Sequence, residues 1–273
     1  DYFCSYCTIP YARGRSRSAD TGQILKAVRE VADKGVKEII LTGVNTGDFG
    51  KGGTSNLLAL IKQLDQMDEI ERYRISSIEP NLLTHEIIEF VAGSRHFMPH
   101  FHIPLQSGNN EVLKLMRRRY TRELFAEKVN HIKSLLPDAF IGVDTIAGMR
   151  GETEDHFKDA CDFIGQLNIS RLHVFPYSER QGTKALQIPF SVPQEEKHRR
   201  VTELLAISDE KLHQFHQQCE GQTRPVLFED TKVGEYICGF TDNYIKVQLP
   251  YDKMLANQII PIHLQKDILT QEE

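Results

Sequence analysis

The sequence has few cysteines, no long apolar run and no excess of basic charge, and each shortage excludes a class of protein. Its 273 residues include five cysteines, an odd number that is poor evidence for a disulfide framework. No apolar stretch approaches the roughly 20 residues of a membrane-spanning helix, and the first residues do not resemble a secretory signal. We therefore expect a cytoplasmic protein with no membrane partner. The net charge of -5 argues against a nucleic-acid binder that relies on bulk charge alone.

Helical and strand-like patterns alternate from about residue 20 to residue 176. Apolar spacing predicts helices over 21–35, 56–67, 81–93, 110–136 and 153–168. Short apolar runs predict strands within 36–43, 72–80, 100–108, 140–151 and 171–178. Strands that alternate with helices predict a parallel α/β barrel, which places its chemistry at the carboxyl ends of the strands.

The pattern changes near Gly221, after a further helix that is predicted to end at about Gln218. Short alternating strands with Gly, Asp-Asn and Pro turns follow. We therefore predict a barrel domain over 1–220 and a small β-barrel domain over 221–273. From Gln222 to Glu273 the tail has five Lys and Arg against eight Asp and Glu, so it is not a basic clamp.

Cys4 and Cys7 are separated by two residues, a gap that lets both thiolates reach one metal ion. Zinc needs two further soft ligands, and none follows at a suitable spacing. Iron–sulfur clusters are also held by thiolates, and an isolated pair of this kind is also typical of a redox couple. The spacing alone leaves these alternatives open. Cys161, Cys219 and Cys238 are interpreted as small buried side chains.

The segment "FCSYCTIPYARGRSRS" (3–18) resembles the cluster loop of radical S-adenosylmethionine (SAM) enzymes of the methylthiotransferase family. That loop has the form Cys-x3-Cys-x2-Cys. Cys4 and Cys7 match its second and third cysteines, and the first would lie immediately before Asp1. The resemblance implies a partial (β/α)6 barrel of the TIM type that lacks its first strand, followed by a TRAM-like β-barrel.

The resemblance also implies two cofactors. Three thiolates hold a [4Fe–4S] cluster whose fourth iron binds SAM, and one-electron cleavage of SAM then gives a 5′-deoxyadenosyl radical. The family carries a second cluster in an N-terminal domain that has no counterpart here. With two of the three ligands, we expect this chain to carry no intact cluster and to be inactive.

Further segments of the resemblance supply candidate SAM-binding residues at successive strand ends. They are "LTGVNTGDFG", "RISSIEP", "HIPLQSGNNEVLKLMRRRYT" and "GVDTIAGMRGETEDHF". Each residue also has a structural interpretation, in a turn or in packing. The candidates are Tyr6, Gly43, Asn45, Ser77, Glu79, Gln106, Ser107 and Asp144.

Four arginines are candidates for contacts with RNA phosphates: Arg13, Arg15, Arg117 and Arg118. The run 117–119 is predicted to be helical, and three consecutive residues of a helix spread around it, which favours a solvent-exposed face. Arg13 and Arg15 rank above the run because the resemblance places them at the mouth of the site. Aromatic residues of the tail are candidates for stacking on bases, although most are expected in its core: Phe228, Tyr236, Phe240, Tyr244 and Tyr251.

The family divides into branches that modify different substrates, and two segments indicate the branch to which this sequence is most similar. Residues 1–18 and "FPYSERQGTKA" (175–185) are most similar to the branch that installs a methylthio group at C2 of N6-threonylcarbamoyladenosine, at position 37 of the tRNA anticodon loop. The implied partners are tRNA, SAM and an electron donor. The alternatives are action on isopentenyladenosine tRNA or on a ribosomal-protein aspartate, a non-catalytic RNA-binding protein, and a zinc-stabilised barrel.

Overall fold

The computed structural model describes residues 2–270 and contains an α/β unit followed by an antiparallel sheet. The helices are α1 (Ile9–Arg13), α2 (Thr21–Ala32), α3 (Leu57–Leu64), α4 (His85–Gly93), α5 (Asn110–Leu115), α6 (Arg122–Leu135), α7 (Glu154–Gln166) and α8 (Gln194–Cys219). The strands are β1 (Glu38–Leu41), β2 (Arg72–Ile75), β3 (His100–His102), β4 (Phe140–Ala147), β5 (Arg171–Pro176), β6 (Thr223–Val233), β7 (Tyr236–Thr241), β8 (Lys246–Pro250) and β9 (Ile259–His263).

The strands β1 to β5 form the wall of a parallel barrel. Strand β1 pairs with β2, and β3, β4 and β5 pair in that order, all parallel. A bridge between Tyr73 and Phe97 connects the two groups. The outer faces of the strands and the inner faces of the helices share one apolar core, which includes Ile61, Leu64 and Ile88. The predicted α/β barrel class is therefore confirmed.

Side-chain caps begin most of the crossover helices. Asp20 accepts from the backbone at the start of α2, Asn56 at α3, Thr84 at α4 and Thr153 at α7. These caps satisfy backbone N–H groups that have no partner inside a helix. The start of each of these four helices is therefore encoded locally.

The single helix predicted over 110–136 is wrong, because the segment forms two helices. Arg117 has a φ of 59°, and the N–H of Arg118 donates to the carbonyl of Leu113, which closes the end of α5. Thr121 then caps α6. The three arginines at 117–119 lie in this connection, so the helical face expected for them does not exist.

The tail forms a four-stranded antiparallel sheet in the order β8-β7-β6-β9. The change from helix to sheet falls between Cys219 and Thr223, close to the predicted boundary at 220. Phe140 of β4 and Phe215 of α8 share an apolar cluster with Val226 of the tail. The division into two domains stays a prediction, since the two parts pack against each other.

Two buried arginines of β2 hold the tail against the amino-terminal end of the barrel. Arg74 donates to the carbonyls of Thr241 and Asp242, each at 2.8 Å, and to Glu38 Oε1 at 2.8 Å. Arg72 donates to two further tail carbonyls. The tail therefore covers the end of the barrel opposite to the carboxyl ends of the strands.

The tail aromatics divide between this contact and the surface. The ring of Tyr244 lies 4.4 Å from that of His100 inside the barrel and stacks on Phe240. Phe228 is buried, whereas Tyr236 and Tyr251 are exposed. Stacking on RNA bases stays a prediction for these residues. Within residues 2–270, no helix is both long enough and apolar enough to cross a bilayer.

Candidate functional site

A cavity of about 720 Å³ opens at the carboxyl ends of β1 to β4. It gathers twelve of the predicted site residues from segments that are far apart in sequence. The twelve are Cys4, Tyr6, Cys7, Arg13, Arg15, Gly43, Asn45, Ser77, Glu79, Gln106, Arg118 and Asp144. Two other predicted residues lie outside the lining. The Ser107 hydroxyl accepts from the N–H of Asn109 in a buried turn, and Arg117 is exposed.

The loop that carries Cys4 and Cys7 forms one wall of the cavity. The N–H of Cys7 donates to the carbonyl of Cys4 at 3.2 Å, which closes a turn, and neither cysteine forms a disulfide within the described residues. Burial raises the pKa of the Cys4 thiol, and the positive charge of Arg118 partly opposes that shift. Both cysteines therefore line the cavity, and Cys4 lies near the positive charge of Arg118.

Tyr6, between the two cysteines, connects the loop to the strand ends. Its hydroxyl donates to Gln106 Oε1 at 3.0 Å and accepts from Arg118 Nη2. Burial raises the pKa of Tyr6 well above its usual value, so the side chain stays a neutral phenol. Gln106 adopts a φ of 66°, and its N–H donates to the carbonyl of Asp144.

Arg118 and Glu79 form a buried ion pair at the centre of the cavity wall. Arg118 Nη1 lies 2.7 Å from Glu79 Oε1, and the two side chains are 5% and 12% exposed. Burial raises the pKa of Glu79 despite the attraction of Arg118. Arg118 Nε and Glu79 Oε2 are both buried and have no hydrogen-bond partner among residues 2–270.

Asn45, in the loop after β1, also carries polar atoms without partners. Both atoms of its side-chain amide are buried and unpaired within the described residues, while its neighbour Thr46 donates to the carbonyl of Ser77 at 2.8 Å. A Cβ added to Gly43 would lie 3.6 Å from Thr46, an ordinary contact. Packing among residues 2–270 therefore does not demand a glycine at position 43.

A histidine pair beneath the cavity was not predicted from the sequence. His102 Nε2 and Asp144 Oδ1 lie 2.8 Å apart, and the ring of His173 lies 5.3 Å from that of His102. The only signal in the sequence was the alternation of His100 and His102 along β3, because alternate residues of a strand share a face.

The mouth of the cavity is basic and partly apolar. Arg13, Arg15 and Arg17 line it and are exposed. Tyr11 does not line the cavity but lies in the same short helix as Arg13, and its exposed ring lies 6.4 Å from that of Phe3 in an edge-to-face arrangement. The basic rim and this neighbouring aromatic pair together supply positive charge and aromatic faces, the two features that bind unpaired nucleotides.

The cavity fits a polar ligand the size of SAM. Buried polar atoms are rarely left without partners. Here three residues that line one cavity, Asn45, Glu79 and Arg118, each carry a buried polar atom without a partner among the described residues. The described residues match the ligand set of a [4Fe–4S] cluster less completely. Cys4 and Cys7 are the right donors, but residues 2–270 contain no group of three or more side chains arranged to hold a metal. That finding also gives no support to a zinc-stabilised barrel.

The chain belongs to the radical SAM superfamily, whose family model matches residues 1–164. The predicted superfamily is therefore confirmed. The chain is 39% identical over 270 residues to "Threonylcarbamoyladenosine tRNA methylthiotransferase MtaB" of Bacillus subtilis, covering 97% of this chain and 60% of that protein. It is 32% identical over 264 residues to "tRNA-2-methylthio-N(6)-dimethylallyladenosine synthase" of Pelotomaculum thermopropionicum, covering 95% of this chain and 59% of the relative. The chain thus spans about three fifths of these relatives.

A comparison with solved structures shows the same fold. Coproporphyrinogen III oxidase of Escherichia coli, a radical SAM enzyme, aligns with a TM-score of 0.53 at 15% identity, over 90% of this chain and 66% of that chain. The radical SAM methyltransferase TsrM of Kitasatospora setae aligns with a TM-score of 0.54 at 19% identity, over 64% and 34% of the two chains.

Proposed function

We propose that this chain is the barrel and tail of a radical SAM methylthiotransferase that modifies C2 of N6-threonylcarbamoyladenosine at tRNA position 37. One observation carries the proposal. Cys4 and Cys7 share a cavity with buried, unpaired polar atoms of Asn45, Glu79 and Arg118, a combination suited to a thiolate-bound cluster beside a polar cofactor.

In the proposed site, Cys4 and Cys7 contribute ligands to the [4Fe–4S] cluster, and the strand ends bind SAM. When bound, these cofactors supply one-electron chemistry and a transferable methyl group. Asn45 and Glu79 would offer acceptors to the ammonium and hydroxyl groups of SAM, and Asp144, which lines the same cavity, would contribute to binding adenine. Arg118 keeps the Glu79 carboxylate oriented and compensated in a buried wall.

The rim supports tRNA as the substrate. Arg13 and Arg15 are exposed at the cavity mouth, where they would meet phosphates, and the exposed ring of Tyr11, in the same helix as Arg13, would offer a stacking surface. Because the tail is acidic overall, we assign the main electrostatic contact to this rim. We also expect the enzyme to act in the cytoplasm.

The relatives favour the threonylcarbamoyladenosine branch. Proteins named for that nucleoside are 39%, 36% and 37% identical to this chain, whereas those named for the dimethylallyl nucleoside are 32% identical. The difference is small but consistent, and both groups are named for tRNA modification.

The experiment is nucleoside mass spectrometry of tRNA from a strain in which the parent gene is deleted. We expect loss of the 2-methylthio form of threonylcarbamoyladenosine and its return with the intact gene. A gene carrying Cys7→Ser should not restore it, whereas Cys161→Ser, which alters a buried thiol outside the cavity, should. The threonylcarbamoyladenosine assignment would be wrong if that nucleoside persisted while the dimethylallyl form, or a modified ribosomal-protein aspartate, was lost.

A further inference from the structure

Ser5, between the two cysteines, is held by two distant segments. Ser5 is buried, with 3% of its surface exposed. Its N–H donates to the carbonyl of Met116 at 3.0 Å, and its hydroxyl donates to the carbonyl of Leu115 at 2.6 Å. Its own carbonyl accepts from the N–H of Ala185 at 2.8 Å. All three polar groups of Ser5 are therefore paired outside the loop that contains it.

The partners of Ser5 belong to two elements of the barrel that are distant from it in sequence. Leu115 and Met116 lie at the carboxyl end of α5, where a helix has carbonyls without partners inside the helix. Ser5 satisfies two of them. Ala185 belongs to a short 3₁₀ segment, Lys184–Gln187, after β5. The cysteine loop is thus pinned between a helix end on one side and this segment on the other.

We propose that Ser5 is a positioning residue that presets the separation and direction of the Cys4 and Cys7 thiols before any metal binds. The proposal rests on the proposed function only in taking the two thiols as ligands. Tyr6 anchors the loop from the cavity side through Gln106 and Arg118, whereas Ser5 anchors it from the barrel side. A loop fixed on both sides loses little conformational entropy on binding a metal, which strengthens binding.

The test measures binding of Cd²⁺, which prefers soft thiolate ligands, to the chain as it stands. Binding is followed by the ultraviolet thiolate–metal absorption well below the melting temperature. Ser5→Ala should weaken Cd²⁺ binding about tenfold, and Ser5→Thr, which keeps the hydroxyl, should restore most of it. Cys7→Ser should abolish the signal and so identify the site. Ser134→Ala, on the exposed face of α6, is the matched control and should change nothing.

An unchanged Cd²⁺ affinity in a folded Ser5→Ala chain would overturn the proposal. So would a loss of affinity that only follows the loss of melting temperature and that Ser5→Thr does not reverse. If Ser5→Ala does not fold, amide exchange of the unaltered chain decides, because a preset loop requires slow exchange in the peptide covering residues 2–8. None of these readouts depends on activity, so the outcome is separable from the tRNA assay.

Discussion

Replacing Arg118 with methionine removes the guanidinium from the buried wall of the cavity and keeps a side chain of similar length. Glu79, whose side chain is 12% exposed in the unaltered chain, then loses its partner at 2.7 Å. Removing one member of a buried ion pair costs about 3–5 kcal/mol, since the remaining charge is uncompensated. We expect a loss of this size in the free energy of unfolding at pH 7.5.

The loss should depend on pH, because burial already raises the pKa of Glu79 and only Arg118 among its main partners opposes that shift. Without Arg118, folded Glu79 keeps its proton at a pH where the unfolded chain has released it. The folded state then binds more protons, so the stability of the variant falls as pH rises above about 4.5, the usual value for glutamate. The double variant Arg118→Met/Glu79→Gln carries no buried charge here and should lack this dependence.

Urea unfolding followed by circular dichroism at pH 5 and pH 7.5 measures both effects. Arg119→Met is the matched control, since Arg119 is exposed and contacts the ring of Tyr2 outside the ion pair. A destabilisation below about 1 kcal/mol at both pH values, or an equal loss in the double variant at pH 7.5, would refute the assignment of Arg118 and Glu79 as a coupled buried pair.

Three further predictions concern the scaffold. Arg74→Met should cost about 3–5 kcal/mol and speed amide exchange in β7, because Glu38 and two tail carbonyls lose their donor; unchanged exchange would contradict the role of Arg74 in holding the tail. Burial lowers the pKa of His216 to about 4, so stability should fall as pH drops from 6.5 to about 4, by at most about 3 kcal/mol. In urea titrations across that range, the His216→Gln variant should lack this pH-dependent loss of stability. A pH profile identical to that of the unaltered chain would contradict the assignment to His216. Gly108→Ala would place a Cβ 2.6 Å from the carbonyl of Ala160 and should cost about 1–3 kcal/mol by overpacking in a thermal melt; an unchanged melting temperature would show that α7 moves freely.

Much of the site was predictable because it follows from local patterns. The strands of a parallel barrel all present their carboxyl ends at one edge, so Asn45, Glu79 and Gln106 could be expected to meet once each strand was recognised. The spacing of Cys4 and Cys7 showed that both thiolates could reach one metal ion, and the resemblance to the cluster loop pointed to iron and sulfur. The break after α5 was missed because Arg117 occupies the left-handed conformation that usually signals glycine.

The sequence by itself determined the order of strands and helices, the edge at which the chemistry lies and the cysteine pair, because each depends on neighbours a few residues apart. Only the tertiary structure decided which side chains meet. Arg118 reaches Glu79 across 39 residues, His102 reaches Asp144 across 42, and Ser5 reaches Leu115 across 110. Such contacts depend on how the whole barrel packs, and no local periodicity encodes that arrangement.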